Sequence, residues 1–313
     1  MSSHKPLVVH HMAAWDRSSP PNSLEAIRSC LDVGADVIEI DVMPLASDDY
    51  LLVHDPDLES ETTGYGAVDG TAVDETRRLR IKVSGVATGT HVPLLSEVVT
   101  AICEHPGMTT RLQVDFKSSA PFIDDEPLRR LVRLIAPLEN RVIVSSKADW
   151  HLRRLHRIAP QLDLGFDVEL YLRSKAVGTS CGEPAPPFSV GAYGYLDDTP
   201  LAARRAWQTA EYLAERCDQL ASASPGVSTL YIEHGLLLRS LDDGFNWAES
   251  LHAKGLQLCA WTIDSAEPDA AETLQRLTRA DVDQITTNTP ASIRQAIVAE
   301  ESGLRDATNG VRA

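Results

Sequence analysis

Val37-Ile38-Glu39-Ile40-Asp41-Val42 places two carboxylates on one face of an otherwise apolar strand. Side chains alternate along a strand, so Glu39 and Asp41 share one face while Ile38, Ile40 and Val42 share the other. Two neighbouring carboxylates repel one another and lose hydration when buried; a hard divalent cation relieves both effects. The competing reading of these residues is an edge strand with a polar face. Two further stretches weigh against it. His54-Asp55-Pro56 follows the apolar run Leu51-Leu52-Val53, and Leu112-Gln113-Val114-Asp115-Phe116-Lys117 repeats the acidic pattern, with Asp115 and Lys117 on one face. Acids, a histidine and a lysine gathered at strand ends point to metal-assisted chemistry on a phosphate ester.

The bulk properties set bounds on that reading. A chain of 313 residues accommodates one large α/β domain or two ordinary ones. The net charge of −16 argues against nucleic acid or an anionic membrane as a docking surface, and is compatible with a divalent metal and a small phosphorylated substrate. Arginine far outnumbers lysine, so Lys117 and Lys147, both near strand ends, stand out. The five cysteines (Cys30, Cys103, Cys181, Cys217 and Cys259) are scattered, with neither zinc-ligand spacing nor a disulfide framework. The first apolar run, Leu7 to Val9, is too short for a signal peptide or a membrane span. The expectation is a cytoplasmic protein without stable membrane insertion, its oligomeric state left open.

Strands and helices alternate along the chain. Leu7-Val8-Val9 reads as the first strand, ending at His10-His11. After the loop Ser18-Ser19-Pro20-Pro21, Asn22 or Ser23 caps a helix with Leu24, Ile27 and Leu31 at helical spacing. Gly34 closes it and the Glu39/Asp41 strand follows at once, as parallel strands joined by helices require. Further helices are expected at 93–105, 125–137, 148–159, 201–222, 242–254, 267–278 and 291–300. Strands are expected around 111–117, 142–144, 162–168, 229–232, 256–263 and 282–286. About eight strand-plus-helix units suit a single (β/α)8 TIM barrel over residues 1–301, with 302–313 as a flexible tail. Residues 173–200, rich in Gly and Pro and without periodicity, read either as a substrate-shaping loop or as a disordered insertion. His11, Glu39, Asp41, His54, Asp115, Lys117, Glu233 and Trp261 all fall near C-terminal ends of predicted strands. In a parallel barrel those ends form one rim, where loops build the active site.

The sequence resembles the glycerophosphodiester phosphodiesterase family over most of its length. The resemblance is carried by the segments 34–42, 52–58 and 62–66, by Val92-Pro93-Leu94-Leu95-Ser96-Glu97-Val98, and by the Asp115/Lys117 strand. Ala260-Trp261-Thr262-Ile263-Asp264 and Val282-Asp283-Gln284-Ile285-Thr286-Thr287-Asn288 complete it. The resemblance implies a TIM barrel, a Mg²⁺ or Ca²⁺ ion and two histidines acting as acid and base on a phosphodiester. Carried over by position, Glu39, Asp41 and Asp115 would be the metal ligands. Asp115 stands where the family usually has Glu, one methylene shorter but still a hard oxygen ligand. His54 would protonate the leaving alcohol and His11 would act on the attacking group. Lys117 would hold a non-bridging phosphate oxygen.

The chain also departs from that pattern. The family opens with His-Arg-Gly followed by Pro-Glu-Asn-Thr; here the segments are His10-His11-Met12-Ala13 and Pro20-Pro21-Asn22-Ser23. Met12 would replace the Arg and Pro21 the Glu. Only one of His10 and His11 can face the barrel interior; counting from Asn22 favours His11. His11-Met12 and the order Glu39, Asp41, Asp115, Lys117 are also similar to the sphingomyelinase D and phospholipase D toxins. Trp261 reads as a rim residue over the substrate or as a core Trp. Glu233 reads as a substrate contact or as half of a salt-bridged loop pair. The leading expectation is a metal-dependent phosphodiesterase acting on a small glycerophosphodiester-like compound or lysolipid. The alternatives are a phospholipase-D-like lyase or cyclase and a non-catalytic barrel that binds a phosphorylated ligand.

Overall fold

The apolar runs of the sequence become eight parallel strands in a computed structural model that describes residues 5–15, 18–105, 109–173, 195–197, 199–203 and 206–309. The strands are β1 (Leu7–His10), β2 (Val37–Pro44), β3 (Arg111–Phe116), β4 (Val142–Ser146), β5 (Asp163–Asp167), β6 (Val227–Glu233), β7 (Gln257–Trp261) and β8 (Gln284–Thr287). Each pairs with its sequence neighbours, and β1 pairs with both β2 and β8, which closes the (β/α)8 barrel. Helices α1 (Leu24–Asp32), α2 (Leu95–Glu104), α3 (Glu126–Ile135), α4 (Asp149–Ile158) and α5 (Thr209–Ala223) alternate with the strands. They continue with α6 (His234–Asp242), α7 (Trp247–His252), α8 (Ala270–Arg279) and α9 (Pro290–Asn309). Among the described residues, no helix is long and apolar enough to cross a membrane.

The main core lies between barrel and helices. Ile38, Ile40 and Val42 of β2 join Leu112, Val114 and Phe116 of β3 there, against Ile27 and Leu31 of α1 and Leu95, Val98 and Ile102 of α2. The other strand face fills the barrel interior with Val9, Val37, Tyr231 and Cys259 and with polar residues such as Gln113 and Thr286. Gly165 makes room in this layer. A Cβ there would lie 2.3 Å from the Tyr231 ring, closer than real atoms approach, so the glycine lets the ring cross the lumen.

Several elements differ from their sequence reading. The helix expected over 242–254 is two helices. Gly244, at φ +84°, ends the first, and the Asn246 side chain accepts the amide hydrogens of Ala248 and Glu249 to start the second. The helix expected from 201 begins at Thr209, after a 3₁₀ turn at Pro200–Ala203; Glu211 accepts the Gln208 amide and sets the start. The long helix α9 passes residue 300 without a proline to stop it. Most of 173–200, and the shaping role read into it, lie outside the described residues, as do 310–313. At the base of that segment Leu172–Arg173 pairs antiparallel with Leu196–Asp197.

Between β2 and β3 the chain builds a small module for which the sequence reading offered no elements. Tyr50–Leu51 turns back antiparallel on the end of β2, and a hairpin forms from Arg80–Val83 and Val86–His91. Met43, Leu45, Leu51, Val53, Leu58, Val68, Leu79, Ile81 and Val92 pack as its own apolar cluster. Pairs two apart occur at 43/45, 51/53 and 79/81, but no run sustains a period of 2 or of 3.6, so no pattern announced the module.

Two histidines away from the barrel mouth carry a pH signature. His10 and His151 are fully buried, and burial holds each imidazole down to about 4. Between that value and the ordinary 6.5, the unfolded chain binds protons that the native protein does not, so stability rises with pH across the window. Each histidine is expected to add about 1.4 kcal/mol of stability per pH unit there. Urea midpoints measured from pH 4 to 6.5 should climb, and the doubly substituted His10→Gln, His151→Gln protein should show a flatter curve. Equal slopes in both proteins would overturn this assignment.

Candidate active site

β2 carries Glu39 and Asp41 into the barrel mouth, because its alternate residues Ile38, Ile40 and Val42 are claimed by the outer core. The register of β2 against β3 sets Asp41 directly opposite Asp115. Carboxylate oxygens of Glu39, Asp41 and Asp115 all lie within 4.8 Å of one another. Lys117, two residues after Asp115 on the same face, closes the group. Its Nζ stands 2.9 Å from Asp41 Oδ1 and also contacts Asp115 Oδ2. Ser145 donates to Asp115 Oδ1 at 2.9 Å and in turn accepts from Gln113.

Charge in this cluster is concentrated and poorly hydrated. Burial, reinforced by the charge of Asp41, pushes the Glu39 carboxyl well above the usual carboxylate range. Burial acts on Asp41 in the same direction, but Lys117, His54 and His11 together outweigh it and bring that carboxyl down to about 2. Burial opposes the charged form of Lys117, yet Asp115, Asp41 and Glu39 hold its ammonium well above the ordinary lysine value. Three converging oxygens, two of the acids fully buried and one lysine among them, fit a hard divalent cation. The ligand atoms of this group are carboxylate oxygens.

Backbone geometry sends the two histidines to different sides of the barrel wall. Val9 faces the lumen and His10 the opposite side, where its ring stacks on Trp15 at 5.6 Å and its Nδ1 lies 3.3 Å from Cys30 Sγ. Met12 and Ala13 follow in the left-handed region, at φ +50° and +55°. This turn brings the Met12 amide onto Glu39 Oε2 at 2.7 Å and leaves His11 at the mouth. Two non-glycine residues in that region, side by side, store local strain of order 1–3 kcal/mol each.

His11 Nδ1 meets Asn288 Oδ1 at 2.8 Å. Asn288 is itself fixed: its side-chain amide donates to Asp264 Oδ2 at 2.9 Å and its backbone N–H to Asp264 Oδ1 at 2.7 Å. Because the Asn288 nitrogen is spent on Asp264, its oxygen is the atom presented to His11, which places the proton on Nδ1 and leaves Nε2 as the basic atom. Asn22 performs a parallel task on the acids, donating to Asp41 Oδ2 at 3.1 Å and accepting the Asp41 amide at 3.3 Å.

His54 reaches the site by another route than the one its sequence context suggested. It stands on no barrel strand; the small module after β2 carries it. Glu61 Oε2 accepts the His54 amide at 2.6 Å and the Asp55 amide at 3.3 Å, and Asp55 Oδ1 lies 2.9 Å from His54 Nδ1. Its side chain is half exposed, and its charge is felt at Asp41. Glu233 and Trp261 end β6 and β7 opposite one another in register. Trp261 packs on the lumen cluster with its Nε1 buried and without a hydrogen-bond partner among the described residues, while Glu233 is half buried at the rim. Sequence reasoning gave no part in the site to Asn22, which it read only as a candidate helix cap, or to Glu61, Asp264 or Asn288. Asp264 and Asn288 lay inside segments that carried the family resemblance, which was the one available signal. Asp167, at the end of β5, also went unremarked; burial, with Glu169 and Asp115 nearby, pushes its carboxyl well up.

The model of the glycerophosphoryl diester phosphodiesterase family matches residues 14–181. The match begins just past His11-Met12, where the chain departs from the family opening. A curated glycerophosphodiester phosphodiesterase from Caldanaerobacter subterraneus is 28% identical over 166 residues, 51% of this chain and 66% of the relative, so the chain spans just under two thirds of that protein. Among solved structures, a glycerophosphodiester phosphodiesterase from Parabacteroides distasonis superposes with a TM-score of 0.66 at 16% identity, covering 95% of this chain and 99% of its own. A phosphodiesterase from Oleispira antarctica, solved with the product sn-glycerol-3-phosphate, gives 0.61 at 19% identity, over 93% and 96% of the two chains. At these identities the structural likenesses establish the barrel alone.

Proposed function

The chain belongs to the glycerophosphoryl diester phosphodiesterase family, and on that premise we propose that it hydrolyses a small phosphodiester with glycerol 3-phosphate as one half. The observation that carries this reading is the convergence, at one end of the barrel, of the three-acid cluster with a histidine whose tautomer is fixed. Product-bound glycerol 3-phosphate in the Oleispira phosphodiesterase supports the choice of substrate half.

Glu39, Asp41 and Asp115 would hold the divalent ion. When bound, it supplies Lewis-acid stabilisation of negative charge on the phosphoryl group. The other steps belong to side chains. His11 Nε2, free because Nδ1 is held by Asn288, takes a proton from the attacking group. His54 delivers a proton to the departing alcohol, and its backbone is pinned by Glu61. Lys117 offers a fixed positive charge to a non-bridging phosphate oxygen. In net terms water and the diester become a phosphomonoester and an alcohol: one P–O bond forms as another breaks, and a proton of the water ends on the alcohol.

Phosphorus-31 NMR of the purified protein with Mg²⁺ or Ca²⁺ and a panel of glycerophosphodiesters and lysophospholipids tests this directly. The expected result is a growing phosphomonoester signal, absent when the metal is chelated. A persistent cyclic phosphate would replace the hydrolase by a lyase, and no turnover of any ester would remove the enzymatic reading.

A further inference from the structure

Beside the acid cluster a pocket of about 180 Å³ opens between the β1–α1 loop and the hairpin of the small module. Met12, Pro21, Leu52, Val53, Ile81 and Val83 supply its apolar wall. Four polar residues, Asn22, Glu61, Lys82 and Ser84, also reach it, and the first three are held by bonds outside it. Asn22 is bonded to Asp41, the Glu61 carboxylate to the amides of His54 and Asp55, and Lys82 Nζ to the Glu59 carbonyl at 2.9 Å. Outside the opening, the hairpin tip keeps Val83 42% and Val86 69% exposed. Three of its lining residues touch the reacting centre: the Met12 amide rests on Glu39, Asn22 donates to Asp41, and Glu61 holds the loop of His54. A substituent seated there and joined to the phosphate would lie on the side of His54, the group proposed to protonate the leaving alcohol.

We propose that the pocket receives a short apolar substituent, alkyl or aryl, on the alcohol released by the reaction, and that the substrate is an ester of glycerol 3-phosphate with such an alcohol rather than with a second polyol. This rests on the phosphodiesterase reading above and narrows it to one substrate class. A polyol in this space would give up hydration against a mostly apolar wall, whereas an alkyl group gains by leaving water. An apolar cavity of about 150 Å³ is large enough for benzene, so a pocket of this size suits a phenyl or butyl-to-hexyl group.

The test compares kcat/KM for glycerol 3-phosphate esters of ethanol, butanol, hexanol, decanol and glycerol, alongside calorimetric binding of the matching non-hydrolysable phosphonates. Burial of each methylene is expected to raise kcat/KM and affinity by up to about fourfold, levelling off beyond hexyl, with the glycerol ester below the butyl ester. Val83→Asp puts a charge into the apolar wall; it should flatten the alkyl series and abolish the preference for the butyl over the glycerol ester. Cleavage of all esters without dependence on chain length, or a preference for the glycerol ester, overturns the pocket assignment and spares the hydrolase. Binding that follows chain length without cleavage of any ester overturns the hydrolase and keeps the pocket. Absence of both overturns both.

Discussion

His11→Ala and His54→Ala are each expected to lower kcat by about 10²–10⁴-fold, the range for loss of a positioned general acid or base. The expectation for His11 follows from its geometry: a ring held at Nδ1 by Asn288, which is held in turn by Asp264, presents one defined basic nitrogen to the mouth. Residues that act as a unit lose little more when both are removed, so the double variant should be only slightly slower than the worse single one. His10→Gln is the control. Its ring lies on the other side of β1 against Trp15 and Cys30, so kcat should stay within a few-fold of the parent. Steady-state kinetics on one diester separates the outcomes. Full activity in His11→Ala together with collapse in His10→Gln would exchange the two assignments.

Lys117→Met is expected to destabilise the metal-free protein by about 3–5 kcal/mol, the range for removing one partner of a buried ion pair. Lys117 is the positive group in direct contact with Asp41 and Asp115, and Glu39 is already pushed toward its protonated form. In the variant the remaining carboxyls would follow Glu39 upward. A carboxyl with a raised native pKa favours folding at low pH and loses that contribution as pH rises through the raised value, so the variant's deficit should widen with increasing pH. Mg²⁺ or Ca²⁺ should restore stability by mass action, by about 2.7 kcal/mol at a hundredfold excess over Kd. Thermal melts in chelator and in metal, at several pH values, read all three effects. A variant as stable as the parent in chelator, or unmoved by metal, would show that the cluster neither depends on Lys117 nor binds the ion. Activity should fall as well, since the same ammonium is assigned to the phosphate.

The acid pair at Glu39 and Asp41 was legible because strand alternation is a property of the backbone, as was the shared face of Asp115 and Lys117. Eight alternating units implied the barrel by the same local logic, since helical and strand periods are written within a dozen residues. His54 was singled out by its place after an apolar run and again by the resemblance, but its setting differs from that reading. The apolar run before it looked like another barrel strand, yet only Tyr50–Leu51 is extended there and it runs antiparallel. Leu58, Val68, Leu79 and Ile81 are too irregularly spaced to announce the module that carries it.

By itself, then, the sequence determined the fold class, the faces of the strands and the chemical character of the rim, because each depends on neighbours two to four residues apart. Tertiary structure alone decided the register that sets Asp41 against Asp115 and the left-handed turn at Met12 and Ala13 that sends His11 inward and His10 outward. It also decided the contact between His11 and Asn288, across 277 residues of chain. Barrel closure brings β1 beside β8 and makes that contact possible. Through-space proximity of this kind comes from packing the whole ring of strands, which no local periodicity encodes.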